Sequence, residues 1–473
     1  MSNFVFYDFE TSSSNKFWGQ IIQIGAVLTN ENLEELDRFD ARCRLNLGII
    51  PEAMALIVNK SSPKMLKNSN LSHYQMVRQF VKKLSQWGKA TYIGFNSIDF
   101  DEEFLRSTLS QTLEYPYITS TNGNTRGDML GLARSANFYY PNTLKNSINS
   151  KGNAVYKLDQ MAPLNGIEHG DAHSAIGDVV ATIGVAKLIV KRAPNVWKAS
   201  LLTIDKNQTL DLIKKETLFC TNEFFYGKSR PFVQTFICQH PNFQWPLCFD
   251  LKHNPSIYLK MSVRDLTDAM KKQPKFIRTV RNNKHPILMN SSYAEKFDDY
   301  KMIGINKLNE RAKMIKENKE FADKVSLIKG LEAEEKEQHK SQEDLYPEES
   351  IYQKFTSNED NKIIPEFHKV DWDKRLSVLS KLKDQRLQYF GKKLLYIEKP
   401  EMLEKSEHDL IHRDTAKKLL STNNEKWNTI PRAYAEIDTL RVKFDKENQP
   451  EKIEMLEEIN AYVEELEKIY TSV

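Results

Sequence analysis

The chain has 473 residues, 40% hydrophobic and 28% charged, a globular composition too long for one core. At roughly 100–200 residues per domain it has room for about three. A net charge of only +4 excludes a bulk polycation, so any nucleic-acid footprint must come from local clusters. No apolar run approaches the roughly 18 residues of a membrane span, and Asp8 interrupts the first apolar stretch, so neither a span nor an export signal is expected.

The first expected strand is Phe4-Val5-Phe6-Tyr7-Asp8-Phe9-Glu10-Thr11. Side chains alternate along a strand, so Asp8 and Glu10 project from the same face. Like charges held side by side repel, and a divalent cation is the usual compensation. Oxygen-only ligands suit magnesium or manganese. A second strand is expected at Ile21 to Leu28 and a third at residues 39–45, followed by helical spacings over 54–66 and 74–87. The segment from Gly94 to Asp101 follows apolar Tyr92-Ile93 and leads into the spacing of Phe104, Leu105 and Leu109, which puts Asp101 where a strand-to-helix turn opens. Asp128 is an extra acidic candidate for the site, with a helix N-cap as the competing reading. Finally, His173 and Asp178 are five apart, placing His173 in a loop and Asp178 on the helix expected over 179–190.

These three blocks, in this order, resemble the DEDD superfamily of 3′→5′ exonucleases, in the subgroup whose last motif is His-x4-Asp. The run Asn165 to His169, the Ala172-His173 pair and Asp178-Val179-Val180-Ala181-Thr182 are similar to the bacterial exodeoxyribonuclease I family. Weaker echoes follow in Asn283 to Leu288, Gly304-Ile305-Asn306 and Ser350-Ile351-Tyr352. The resemblance implies a ribonuclease-H-like α/β exonuclease domain (1–193), an SH3-like β-barrel domain (200–345) and an α-helical C-terminal domain (350–473). In the family an aromatic residue precedes the aspartate at position 128, and Gly127 departs from that.

The resemblance also implies a ligand set and its roles. Asp8 would bridge two Mg²⁺ ions, for which Mn²⁺ could substitute; Glu10 and Asp178 would hold the ion that activates water, and Asp101 would support the second. His173, with an ordinary pKa of roughly 6.5, is suited to take the proton from that water. His169 lies nine residues from Asp178, the wrong spacing for the motif, and reads as structural.

From residue 200 the texture changes to short aromatic-rich segments broken by Gly, Pro and Asn, which are strand and turn signals. Here Lys271, Lys272, Lys275, Arg278, Arg281, Lys284 and His285 form a basic run around Phe276. Such runs are usually solvated surface, but beside a nuclease they are candidates for phosphate contact. Residues 331–349 read as an exposed helix or linker. From Ile351 the pattern is helical, with a core stripe of Ile453, Leu456, Ile459, Val463, Leu466 and Ile469. Arg386, Tyr389, Phe390, Lys392 and Lys393 interleave bases and aromatics and could line a strand channel. Four cysteines without CxxC spacing suggest reduced thiols and the cytoplasm rather than zinc.

The expected function is metal-dependent 3′→5′ hydrolysis of single-stranded DNA to nucleoside 5′-monophosphates, by a monomer, in repair and recombination. The resemblance further implies recruitment by the acidic, apolar tail of single-strand-binding protein, for which Lys271 to Lys284 is the candidate region. An exoribonuclease of the same superfamily is the alternative, disfavoured by the long chain beyond residue 200. A non-catalytic scaffold is disfavoured by five filled catalytic positions.

Overall fold

The computed structural model describes residues 3–168, 174–339 and 345–472. Two sheets form within it. The first has the order β3-β2-β1-β4-β5, with β1 Asn3–Thr11, β2 Ile21–Thr29, β3 Glu35–Arg42, β4 Ala90–Gly94 and β5 Thr125–Asp128. The β1–β2 and β2–β3 pairs are antiparallel, whereas β4 runs parallel to β1 and to β5. This is the mixed sheet of a ribonuclease-H-like exonuclease fold. The third strand begins earlier than residue 39, and the helix expected over 54–66 is two short ones, Ala53–Val58 and Pro63–Lys67. Pro63 explains the break: it starts the second helix behind Ser62, whose side chain caps Met65 N.

The alternation of β1 decides which helices lie where. Val5, Tyr7 and Phe9 pack with Phe80 and Leu84 of the helix His73–Trp87 and with Phe104 and Leu109 of the helix Asp101–Gln111. Phe4 and Phe6 pack on the other face with Val179, Ile183 and Ala186 of the helix Ala175–Arg192. Asp8 and Glu10 continue the Phe4-Phe6 row, so the strand's own period delivers them to the helix that carries Asp178.

The second sheet is antiparallel with the order β6-β7-β8-β9, comprising β6 Phe219–Phe225, β7 Lys228–Gln239, β8 Pro246–Asp250 and β9 Ile277–Thr279. The expected SH3-like barrel is, among the described residues, an open sheet, because β9 is three residues long and does not reach β6. The free edge of β6 instead meets Met289 through one antiparallel bridge with Cys220. The remainder is helical, ending in Ile430–Lys446 and Pro450–Thr471. In the latter, Leu456, Ile459, Val463 and Leu466 are buried.

The three regions share cores. One apolar cluster runs from Phe4, Met129 and Ile189 to Val233, Phe249 and Phe321. Another joins Ile22, Ile50 and Leu56 to Ile437, Ile459 and Tyr470. Among the described residues no helix is long and apolar enough to cross a membrane, and all four cysteines are unpaired.

Candidate active site

Asp8, Glu10 and Asp178 come together: each offers a carboxylate oxygen, and the three oxygens lie within 4.8 Å of one another. Asp178 sits in the first turn of the Ala175–Arg192 helix, capped by Ser174, whose Oγ accepts from Gly177 N at 3.2 Å. Helix N-termini favour a nearby negative charge, so the position is a natural one for a carboxylate. Close approach of this helix to β2 depends on Gly25, because a Cβ there would lie 2.5 Å from the backbone of Ala175 and Ile176.

Asp101 is outside that trio. It opens its helix, is buried, and accepts a hydrogen bond from Phe9 N at 3.1 Å, so it is tied to the peptide between Asp8 and Glu10. His173, the expected base, and His169 lie outside the described residues. Asp128 is an N-cap, which favours the competing reading: its carboxylate accepts from Leu130 N at 2.9 Å, and also from Asn96 N and Ile98 N across the β4 turn.

Burial and like charge dominate the electrostatics. Asp8 is held well above the usual carboxylate range, first by burial and then by Asp101, Asp178 and Glu10. Glu10 is pushed up to about 8 by burial, with Asp178 and Asp101 adding to it and Arg42 opposing. Burial takes Asp101 to about 8 as well, against the lowering effect of the bond from Phe9 N. Crowded acids that resist ionisation, in an all-oxygen donor set, fit a hard divalent cation, which would reverse the penalty on each charge.

Two supporting groups escape a reading of the sequence. Glu102 is fully buried beside Asp101 and receives Tyr7 Oη at 3.1 Å, Thr119 Oγ1 at 2.5 Å, and the guanidinium groups of Arg106 and Arg126, each at 3.1 Å. In sequence it looks like an ordinary acidic first helical turn. His285 was expected in a basic surface run but is buried: its Nδ1 accepts from Asp128 N at 2.9 Å and its Nε2 pairs with Ser200 O at 3.0 Å. Gly127 admits it, since a Cβ there would stand 3.3 Å from the imidazole Cε1.

Several of the expected DNA-contacting residues have partners within the chain. Lys271 and Lys272 are exposed at the end of a helix, and Lys275 Nζ caps it through Met270 O at 2.6 Å and Lys271 O at 3.1 Å. Arg278 pairs with Glu223 (Nε to Oε1, 2.7 Å) and lies 3.6 Å over the Phe232 ring. Arg281 is exposed over Trp245, and Lys284 pairs with Asp99 at 2.7 Å, beside the Asp101 turn. Arg386 is committed to Asp384, Ser350 O and Lys354 O, Tyr389 donates to Glu348, and Lys392 pairs with Glu407. Interleaved bases and aromatics on a helix thus serve internal packing as readily as a channel.

The family model described as Exonuclease matches residues 5–186, and that of the Exonuclease I C-terminal domain matches 345–466. Exodeoxyribonuclease I of Buchnera aphidicola is 24% identical over 345 residues, covering 69% of this chain and 81% of its own. Exonuclease I of E. coli in complex with a dA16 oligonucleotide superposes with a TM-score of 0.80 at 19% identity, covering 98% of this chain and 100% of that one. A structure of SSB/Exonuclease I in complex with the inhibitor CFAM gives the same TM-score, identity and coverage. The two family models flank the second sheet in the order the resemblance implies, and on the strength of both, the chain belongs to the exonuclease I family.

Proposed function

We propose that this chain is a divalent-metal-dependent 3′→5′ exodeoxyribonuclease that degrades single-stranded DNA to nucleoside 5′-monophosphates. The observation that carries the reading is the meeting of Asp8, Glu10 and Asp178 at the end of β1, with Asp101 bonded to the intervening peptide. When bound, a pair of Mg²⁺ or Mn²⁺ ions lowers the pKa of a water and neutralises charge on the scissile phosphate. Asp8, Glu10 and Asp178 would hold them, and Asp101, whose Oδ1 accepts from Phe9 N, would support the second ion. His173 would take the proton of the attacking water, since imidazole is the side chain whose unperturbed pKa lies near neutrality.

We assign residues 1–193 to the nuclease domain, 200–345 to a barrel-like domain and 350–473 to a helical domain. The Cys220–Met289 bridge supports the barrel-like reading, since it covers the edge of β6 that closure would use. The strand's path would run past the Asp101 helix. There Tyr117 lies 5.9 Å from Tyr115 and 5.7 Å from the exposed Phe355 ring, while Tyr352 donates to Glu103 at 2.8 Å. Exposed rings contributed by two domains suit unpaired bases. Lys284, beside the same turn, and Arg281, Lys271 and Lys272 remain the candidates for phosphate and for the tail of single-strand-binding protein. We take the enzyme to be a cytoplasmic monomer.

The test is a time course on 3′-labelled and 5′-labelled single strands, DNA and RNA in parallel, with Mg²⁺ or with EDTA. Mononucleotide release from the 3′ end of DNA, abolished by EDTA, is the expected result. Equal or faster loss of RNA would favour the exoribonuclease instead.

A further inference from the structure

Asp101 owes its place to a turn that is held from outside its own helix. The turn runs from Gly94, the last residue of β4, to Asp101, and Asn96 within it adopts a left-handed φ of 66°. Non-glycine residues stay in that region only where surrounding contacts hold them there, and such residues gather at functional sites. Ser97 closes the turn on itself: its Oγ accepts from Gly94 N at 3.1 Å and its carbonyl from Glu102 N at 2.8 Å. Packing against β1 is close, since a Cβ at Gly94 would lie 2.8 Å from the carbonyl oxygen of Tyr7, the residue before Asp8.

The external hold comes from Asp128. It stands across the parallel β4–β5 ladder from Gly94, so its side chain reaches over the end of β4. Its Oδ1 accepts from Asn96 N at 3.2 Å as well as from Leu130 N, and its Oδ2 accepts from Ile98 N at 3.1 Å. A helix cap needs only the bond to Leu130; the other two belong to the turn. Behind Asp128 is His285, brought by the second-sheet region. Burial keeps its imidazole neutral by lowering its pKa, so with Nε2–H donated to Ser200 O, Nδ1 accepts from Asp128 N. The preceding residue, Lys284, reaches the same turn directly, its Nζ 3.3 Å from Ile98 O and 2.7 Å from Asp99 Oδ1.

Two consecutive residues of the second-sheet region thus brace a turn of the nuclease domain, and that turn ends on Asp101, whose Oδ1 is bonded to the peptide between Asp8 and Glu10. On the basis of the cation centre proposed above, we infer that Asp128 is a positioning residue: through Asn96 and Ile98 it sets Asp101 relative to Asp8 and Glu10, and His285 passes the support of the second-sheet region to it. How tightly the carboxylates hold a divalent cation is then governed in part by a region that supplies none of them.

Mn²⁺ titration of the full-length protein without DNA, followed by the electron paramagnetic resonance of the free ion, reads the centre without hydrolysis. Asp128→Asn keeps Oδ1 for Leu130 and Asn96 but turns an NH₂ toward Ile98 N, so it breaks the hold on the turn and spares the cap. Mn²⁺ affinity should fall by at least about tenfold, as for other partners that orient metal ligands. On a short 3′-labelled oligonucleotide kcat should fall by a similar factor with KM unchanged. His285→Ala should weaken Mn²⁺ binding in the same direction, and His285→Gln, which restores an acceptor, should recover part of the loss. Ser135→Ala is the control: on the same helix as the cap, it loses a 2.8 Å bond to Asn222 of the second sheet without touching the turn, so its Mn²⁺ affinity should match wild type. Should Asp128→Asn not fold, the His285 pair carries the test. Wild-type Mn²⁺ affinity in folded Asp128→Asn or His285→Ala, or an equal loss in Ser135→Ala, would overturn the proposal. Absence of Mn²⁺ binding by the wild-type protein would overturn the cation centre along with it.

Discussion

Gly25 stands directly across the β1–β2 ladder from Asp8, and its missing side chain is what lets the helix carrying Asp178 come down onto the sheet. A Cβ at this position would have to displace the Ala175–Ile176 backbone rather than a flexible side-chain end. Gly25→Ala should therefore move Asp178 without altering any ligand. A shift on the order of 1 Å in a catalytic constellation can cost about 10²-fold in rate, so kcat should fall by about that factor while oligonucleotide affinity holds. Wild-type kcat in a folded Gly25→Ala protein would show that the helix does not need this close approach.

Removing a ligand outright is a harsher change. Asp8→Ala or Asp178→Ala should abolish hydrolysis while leaving single-strand binding largely intact, since neither residue lies among the exposed bases and rings. Turnover on a 3′-labelled oligomer, beside anisotropy on the same strand, separates the two effects. Near-normal turnover in either protein would remove the carboxylate cluster from the mechanism.

The raised carboxyls make metal-free stability depend on pH. Glu10 and Asp101 rise from ordinary values of 4.5 and 3.8 to about 8. Acids with raised folded pKa values stabilise the fold fully below about pH 4 and lose that contribution as pH climbs through about 8. In EDTA the Tm should accordingly fall between pH 5 and 9. The increment given by Mg²⁺ or Mn²⁺ should grow over the same interval, because the cation binds the ionised form. Glu10→Gln should flatten the EDTA profile; an unchanged slope would mean that Glu10 does not carry it.

His285 behaves in the opposite sense. Its burial lowers its pKa, so its contribution is present above the ordinary histidine value and is lost as pH falls through the lowered one. His285→Ala would also leave Asp128 N and Ser200 O without their partner and open a void against Gly127. By the usual cost of a buried unpaired group, about 1–3 kcal/mol, plus the void, denaturant unfolding should register a loss of about 2–4 kcal/mol. A loss under about 0.5 kcal/mol would make the wedge incidental.

His173 is tested by rate alone. His173→Ala should cost roughly 10²–10⁴-fold, with wild-type activity rising through the imidazole range as pH increases, and His169→Ala should do far less. Equal losses would assign the base elsewhere.

What the sequence makes legible follows from how local each signal is. The Asp8–Glu10 pair obeys the two-residue period of a strand, and Asp178 obeys the start of a helix four residues after its Ser174 cap, so short windows suffice. Gly25, Glu102 and His285 are different: each owes its role to a partner brought near only by folding. Those partners are Ala175 for Gly25, Arg126 for Glu102, and Asp128 and Ser200 for His285. Arg386 and Tyr389 cannot be placed by spacing for a related reason. A base or an aromatic on a helix has the same spacing whether it meets solvent or, as here, Ser350 O and Glu348. The interrupted helix at residues 54–66 was readable in principle, since Ser62-Pro63 is itself a helix-start signal.

The apolar row beneath Asp8 does not end with the nuclease sheet. Phe4 and Phe6 belong to one buried cluster with Val233, Phe249 and Phe321, and the Phe4 ring lies 5.7 Å from that of Trp197, so the core behind the strand that carries Asp8 continues past residue 194. Severing the chain near residue 194 would wet that support, and the remaining piece would lose the rigidity that keeps its acids crowded. A pared-down cutter is therefore not obtainable from this chain by deletion.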